Sequence, residues 1–458
     1  MSAPTRLAII LAAGLGTRMK SERPKVMHEI GGLSLVGHVL KAVSAASVER
    51  IAVVVGPDMP ALVSEVGRRA PQASCHEQTE RLGTAHAALA ARPAATPVPD
   101  QVFVLFGDTP LVRPGTIERI GARLSAGADL VVLGFQAANP FGYGRLLEEG
   151  GELVAIREEK DASEVERQVA FCNSGIMGFS GARFLEILDA IGNDNANSEF
   201  YLTDAVEVAR GLGLSVASET ADEAEVQGIN TRAQLARVEA DFQARMRQQA
   251  MDDGVTLVAP ETVFFSHDTV LAADVVVEPN VVFGPGVSVA RDAVVRAFSH
   301  LEQARVGEGA TLGPYARLRP GAEIGTGAHI GNFVEVKNAT VGEGAKVNHL
   351  TYVGDARIGA RSNIGAGTIT CNYDGFLKHL TDIGEDVFVG SNSTLVAPIT
   401  IGDGAYLAAG GTVTQNVPAD ALVIGRARQA VKEGRASLLK SRFRRAKEEK
   451  AKRDKEKG

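Results

Sequence analysis

Residues 322–336 read Ala322-Glu323-Ile324-Gly325-Thr326-Gly327-Ala328-His329-Ile330-Gly331-Asn332-Phe333-Val334-Glu335-Val336. An aliphatic residue falls at every sixth position: Ile324, Ile330, Val336. Toward the N-terminus the same spacing reaches Leu318, Leu312 and Val306. Toward the C-terminus a five-residue step gives Val341, Val347 and Val353, and a second gives Ile358, Ile364 and the polar Thr370. After a loop of about a dozen residues, Ile383, Val389, Leu395, Ile401, Leu407 and Val413 keep the register. Glycine often follows the aliphatic, as in Ile324-Gly325 and Val389-Gly390.

Six is neither the helical period nor the two-residue strand period. It suits a short strand and a corner, repeated, with one aliphatic pointing inward on each face. Small residues let the chain bend at the corners. Three hexads make a triangular coil of about 18 residues, and coils stack at the strand-pairing distance of about 4.8 Å. The expectation is a left-handed parallel β-helix of hexapeptide repeats, to which the looser stretch 255–305 adds further coils.

The chain has 458 residues, enough for two or three domains. Apolar residues make up 45%, so cores can form, but the aromatics are only 17 Phe, 6 Tyr and no Trp. So few rings disfavour a stacking platform for single-stranded nucleic acid. The net charge of -7 hides a basic end: residues 440–458 hold ten basic and four acidic side chains. An acidic body with a short basic tail is not a nucleic-acid binder as a whole, and the tail reads as a solvated, poorly ordered end. Cys75, Cys172 and Cys371 are far apart, with no CxxC pair, which fits a reducing cytoplasm rather than a disulfide or zinc framework. The apolar run Leu7–Ala13 is too short to span a membrane and reads as a buried strand, so no integral membrane segment is expected.

Residues 1–230 alternate aliphatic runs (Leu7–Leu11, Ile51–Val55, Val102–Phe106, Leu130–Leu133) with helix-like stretches. Near-continuous apolar runs are strands covered on both faces, so this part is a doubly wound α/β domain. Residues 231–253 read as a linker helix: Thr231 and Gln234 fit a capping box, and Leu235, Val238, Phe242 and Met246 recur at helical spacing. The β-helix and basic tail then occupy 254–458.

Ligands in doubly wound sheets bind at the carboxyl ends of strands. Two motifs sit there. One is Leu11-Ala12-Ala13-Gly14-Leu15-Gly16-Thr17-Arg18-Met19, followed by Pro24 and Lys25; the other is Phe106-Gly107-Asp108. Glycines let backbone N–H groups approach a phosphate, and Arg18 and Lys25 add charge. The loop is not a Walker loop, and Met19 replaces the third glycine of the dinucleotide fingerprint.

The string LAAGLGTRM followed by Pro24-Lys25 resembles the signature of sugar-phosphate nucleotidyltransferases. Together with the hexads, the chain resembles, over essentially its whole length, the family of bifunctional N-acetylglucosamine-1-phosphate uridyltransferases and glucosamine-1-phosphate N-acetyltransferases. The resemblance implies Leu11, Ala12, Ala13, Gly14, Lys25, Gln78, Gly83, Thr84, Asp108, Gly144, Glu158, Asn173 and Asn230 as nucleotide- and sugar-binding positions. Gln78 and the Gly83-Thr84 backbone would read uracil, Arg18 and Lys25 would balance phosphate charge, and Asp108 and Asn230 would hold Mg²⁺. Phe106 stands where the family often has tyrosine, which removes a hydroxyl contact.

In the second half the resemblance implies His349, in Asn348-His349-Leu350-Thr351-Tyr352, as the general base of acetyl transfer, with Glu335 orienting or polarising it. It implies Arg319, Lys337, Tyr352 and Asn363 as acceptor-binding, and Asn372, Tyr373, Ser391, Ala409 and Arg426 as acetyl-CoA-binding. The implied activity is acetyl transfer from acetyl-CoA to glucosamine-1-phosphate, then uridylyl transfer from UTP to N-acetylglucosamine-1-phosphate. The product would be UDP-N-acetylglucosamine, a precursor of bacterial cell-envelope polymers. A cytoplasmic homotrimer with acetyl-transfer sites shared between subunits is expected. Two other readings stay open: a nucleotidyltransferase whose β-helix only regulates or assembles it, and a structural trimer.

Overall fold

The computed structural model describes residues 4–150, 152–195 and 198–456. The aliphatic runs of the first part form one mixed sheet. Its main path runs Val216–Ala221, Leu130–Gln136, Phe171–Ser180, Gln101–Phe106, Arg6–Leu11, Arg50–Val55, Ser74–Glu77. All neighbours along it are parallel except Phe171–Ser180, which is antiparallel to both of its own. Alternate residues of Arg6–Leu11 enter different cores: Ala8 and Ile10 join one cluster, Leu7, Ile9 and Leu11 the other. Two covered faces explain the unbroken apolar runs. Each buried Leu, Ile or Val contributes roughly 1.5–3 kcal/mol.

Leu11 pairs in register with Phe106, so the glycine loop and Gly107-Asp108 leave adjacent parallel strands at the same edge. This is where the sequence pattern put the site.

Helix Arg232–Asp252 begins at the expected capping box: Thr231 accepts from the Gln234 backbone, and the Gln234 side chain accepts from the Thr231 N–H. Val238 and Phe242 are buried with Met19, Ile30, Leu35 and Leu111. The helix therefore packs on the α/β domain. Its Gln243 carboxamide donates to and accepts from the Phe265 backbone, each at 2.8 Å. Ser266 and His267 both donate to the Gly31 carbonyl. These bonds tie the first coils to the α/β domain, and by contact the chain parts into Met1–Gly309 and Ala310–Gly458.

In the first unit, Thr256–Leu257, Val276–Val277 and Val294–Val295 stack in parallel, as do Val270–Leu271, Ser288–Val289 and Ala304–Val306. The supposedly looser stretch is thus also coiled. Val277, Phe283, Val289, Val295 and Leu301 are buried at the same six-residue interval.

The second unit is a parallel β-helix with three columns of strands. One column contains Thr311–Leu312, His329–Asn332, Lys346–His349, Asn363–Ile364, Phe388–Val389 and Tyr406–Leu407. A second contains Arg317–Leu318, the start of Glu335–Val341, the start of Tyr352–Ile358, Ile369–Cys371 and Thr394–Val396. The third contains Ala322–Ile324, Thr381–Ile383 and Ile399–Ile401, with the later parts of the two long strands. All eighteen aliphatic or threonine positions of the hexad register are buried. The loop 372–380 leaves one corner between Cys371 and Thr381.

One expectation is corrected. Of the basic end, Arg435–Glu456 is a regular helix rather than irregular chain, and 457 and 458 lie outside the described residues. Lys, Arg, Glu and Ala are strong helix formers, and that local preference suffices although the described side chains there stay exposed. The three cysteines are free. Among the described residues no helix is long and apolar enough to cross a membrane.

Candidate functional site

At the edge where the two motifs meet lies a cleft with lobes of about 410, 580 and 500 Å³. Phe106 lines all three. The first lobe collects Leu11, Ala12, Ala13, Gly14, Lys25, Gln78, Gly83, Thr84, Asp108 and Asn230. The second holds Gly144, Glu158 and Asn173, and the third holds Arg18 beside Asp108 and Asn230. Every residue singled out in the first half faces this one cleft.

The floor of the first lobe is ionic. Lys25 Nζ donates to Asp108 Oδ2 and, at 3.0 Å, to Asn230 Oδ1. Three separate devices converge on this point. Lys25 opens a short turn after Pro24. Asp108 follows a central strand, and its carbonyl accepts from the Ile229 N–H at 3.1 Å. The Asn230 N–H donates to Gln234 Oε1 at 2.8 Å, so the linker helix's capping residue also anchors this site. Gly16 is held at φ +64, and a Cβ there would come within 2.5 Å of Lys25 Cβ. The loop therefore needs glycine at that position on both counts.

The donors fit a hard divalent cation. A carboxylate and a carboxamide oxygen already converge on one cation, the Lys25 ammonium, which stands where a metal ion would be attracted. Among the described residues no group of three or more His, Cys, Asp or Glu could hold a metal. A Mg²⁺ here would complete its shell with water and phosphate oxygens, as that ion prefers.

Gln78, almost wholly buried, donates from Nε2 to the Gly83 carbonyl and to His86 Nδ1. In the second lobe burial, with the Asp161 and Asp204 carboxylates, pushes Glu158 above the usual carboxylate range. Sequence reasoning missed Arg81, whose Nε donates to the Ala13 carbonyl at 3.0 Å, and Glu199, which lines two lobes. Arg81 lies between Gln78 and Gly83, in the stretch to which the resemblance drew attention, and was within reach. Glu199 carries no local signal.

In the β-helix unit, Asn332 and His349 are register partners in adjacent coils. His349 Nδ1 lies 2.6 Å from Asn332 Oδ1. Glu335 instead accepts from Arg319 at 2.8 Å, with Tyr352 as its register partner one coil on. Asn332 was therefore missed. The signal existed: the five-residue step shortens the coil to the spacing that separates 332 from 349. Lys337 is held below the usual lysine range chiefly by the Lys378 ammonium, then by desolvation and by Arg319. Three cations thus crowd one patch, and Lys378 was also missed. Such crowding favours a bound dianion.

Asn372 donates to Asp355, which also accepts from Asn338 at 2.6 Å. Burial pushes Asp355 up, but these bonds and the Lys378 and Lys337 charges outweigh it and leave it below the usual range. Tyr373, exposed, donates to the Gly375 carbonyl. Asn363 lies in the strand stacked on the one that bears His349. Ser391 and Ala409 stand two residues beyond the register partners Val389 and Leu407, so they stack at one corner. Arg426 donates to the Ala409 carbonyl.

Comparison with known proteins agrees with both halves. Residues 8–170 match the MobA-like NTP transferase domain family. Residues 303–338 match the bacterial transferase hexapeptide family, and 381–415 the hexapeptide repeat of succinyl-transferase. Among curated relatives, the bifunctional protein GlmU of Azorhizobium caulinodans is 57% identical over 441 residues, covering 96% of this chain and 98% of that protein. Those of Xanthobacter autotrophicus and Agrobacterium fabrum are 56% and 54% identical, covering 96% and 97% of this chain and 98% of each relative.

Proposed function

The chain belongs to the GlmU family of bifunctional proteins, and from that premise we propose how its residues divide the two reactions. The activities are acetyl transfer from acetyl-CoA to glucosamine-1-phosphate and uridylyl transfer from UTP to N-acetylglucosamine-1-phosphate, giving UDP-N-acetylglucosamine and pyrophosphate. Functionally, 1–230 carries uridylyl transfer, 231–253 links, and 254–458 carries acetyl transfer.

The observation that carries the first assignment is the convergence of Lys25, Asp108 and Asn230 under the glycine loop. A sugar-phosphate oxygen attacks the α-phosphorus of UTP in line, and pyrophosphate leaves. The step needs alignment and charge neutralisation. The loop backbone holds phosphate oxygens, and Lys25 and Arg18 offset their charge. Gln78 and Gly83-Thr84 hold the base; Gly144, Glu158 and Asn173 hold the sugar. Asp108 and Asn230 hold Mg²⁺, which when bound supplies positive charge to the phosphates.

For acetyl transfer, the Asn332 contact supports a proton on His349 Nδ1 and a lone pair on Nε2. Nε2 takes a proton from the sugar ammonium, the freed amine attacks the thioester carbonyl, and CoA thiol leaves. Arg319, Lys337 and Lys378 hold the sugar phosphate, with Tyr352 and Asn363 beside it. Glu335 acts through Arg319. Asn372, Tyr373, Ser391, Ala409 and Arg426 hold acetyl-CoA. The exposed Phe376, Leu377 and Leu380 of the corner loop support a homotrimer in which acetyl sites are shared. We place the protein in the cytoplasm, where UTP and acetyl-CoA are found.

The test is direct. Glucosamine-1-phosphate with acetyl-CoA should release CoA thiol, and N-acetylglucosamine-1-phosphate with UTP and Mg²⁺ should release pyrophosphate. Pyrophosphate without thiol would reduce the β-helix to assembly or regulation.

A further inference from the structure

Gln78 reaches the cleft with its carboxamide already committed. The Gly83 carbonyl can only accept, so the atom 3.2 Å from it is the amide nitrogen. The second N–H points to His86 Nδ1, also at 3.2 Å. Both hydrogens are used, so the accepting group that the amide offers the cavity is its oxygen.

His86 is itself fixed. It lies in the first turn of helix Thr84–Ala90, and its ring faces Phe200 at a centroid distance of 6.3 Å. Phe200 is bound to this segment through Phe200 N to Leu82 O at 2.7 Å and Ala85 N to Phe200 O at 2.9 Å. Gly83 stands at φ +113, and a Cβ there would run into the Phe200 carbonyl. The segment therefore cannot relax around the histidine without losing those bonds.

We infer that His86 is a positioning residue for base selection: its Nδ1 keeps the Gln78 oxygen turned to the base and so favours uracil over cytosine. Uracil N3 carries a hydrogen and can donate to that oxygen. Cytosine N3 carries a lone pair, and two acceptors would face each other. A site built to hydrogen-bond one partner rejects the mismatched one. Without His86 only Gly83 opposes reversal of the amide, and a reversed amide offers N–H to cytosine N3. The inference rests on the reading of Gln78 as the base contact.

The experiment compares kcat/KM for UTP and CTP by pyrophosphate release, using the full chain with Mg²⁺. The variants are His86→Ala, His86→Asn and Gln78→Ala, and the circular dichroism and thermal transition of each preparation report folding. The UTP:CTP ratio should fall about tenfold in His86→Ala, the worth of one hydrogen bond. In His86→Asn it should recover, because Asn Oδ1 can accept where Nδ1 did. An unchanged ratio in His86→Ala, or an equal loss on both nucleotides, overturns the inference. If Gln78→Ala leaves the ratio unchanged, the base assignment of Gln78 fails as well; if it collapses the ratio while His86→Ala does not, only the role of His86 fails.

Discussion

The Lys25 ammonium donates to the Asn230 carboxamide oxygen at 3.0 Å, across 205 positions of sequence. The same ammonium is bonded to Asp108. A cation bound by these two oxygens would displace Lys25 from them and free it for substrate phosphate. Asp108→Asn keeps the shape but removes the charge. Pyrophosphate release should fall about 10²–10³-fold, the loss seen when one group aimed at developing charge is removed. Thiol release from acetyl-CoA in the same preparation should be unchanged. Full pyrophosphate release from the variant would refute the metal assignment of Asp108.

His349→Ala should lower thiol release about 10²–10⁴-fold, the usual range for a general base. Pyrophosphate release should persist. Asn332→Ala should cost less, about tenfold, because it removes one orienting hydrogen bond and leaves the base in place. Loss of both activities in His349→Ala would point to unfolding instead.

Leu395 is fully buried in the β-helix. Leu395→Ala should cost about 2–5 kcal/mol, read as a lower urea midpoint of the transition reporting this unit. In a stacked repeat, damage should fall most on the adjoining coils. Amide exchange should therefore quicken around 364–371 and 407–413 before it does around 312–318.

His38 packs at the junction of helix Leu35–Ala45 with the first coils, its ring near Phe242 and His267. Burial pushes it down to about 4, and burial also lowers His267. Both are favoured neutral in the fold and take a proton near 6.5 when unfolded. Their stabilising contribution is complete above about pH 6.5. It falls as pH drops below that, by at most about 1.4 kcal/mol per pH unit for His38, whose window reaches down to about 4. Denaturant midpoints measured from pH 7 to pH 5 should fall, and more steeply than in His38→Gln.

The hexads and the strand-end motifs were legible because each rests on local chemistry repeated in register. Ile324, Ile330 and Val336 announce their inward faces by spacing alone, and burial bears this out. Gly107-Asp108 could be put beside the glycine loop because parallel strands bring carboxyl ends together. Asn332 and Lys378 were not singled out, since the neighbour of Asn332 is one coil away and Lys378 meets Lys337 from a loop two coils on, placements that depend on the exact length of each turn. Asn230 was singled out by resemblance, but what holds it, the side chain that caps the linker helix, appears only in three dimensions. The basic end was misjudged because charge density was weighed above helix propensity.

The corner between Cys371 and Thr381 has a practical consequence. Cys371 before it pairs with Val396 and Thr381–Ile383 after it pairs with Ile399–Ile401, where Ala397-Pro398 alone close the same corner. One coil earlier, Tyr352–Ile358 runs through the corner as unbroken strand. Chain length there is thus uncoupled from the registry of the stack, and closing a longer excursion costs little extra. The rim can therefore be exchanged or tagged without disturbing the stack beneath, at the expense of the acetyl-transfer and assembly roles proposed above for Asn372, Tyr373, Lys378 and Phe376.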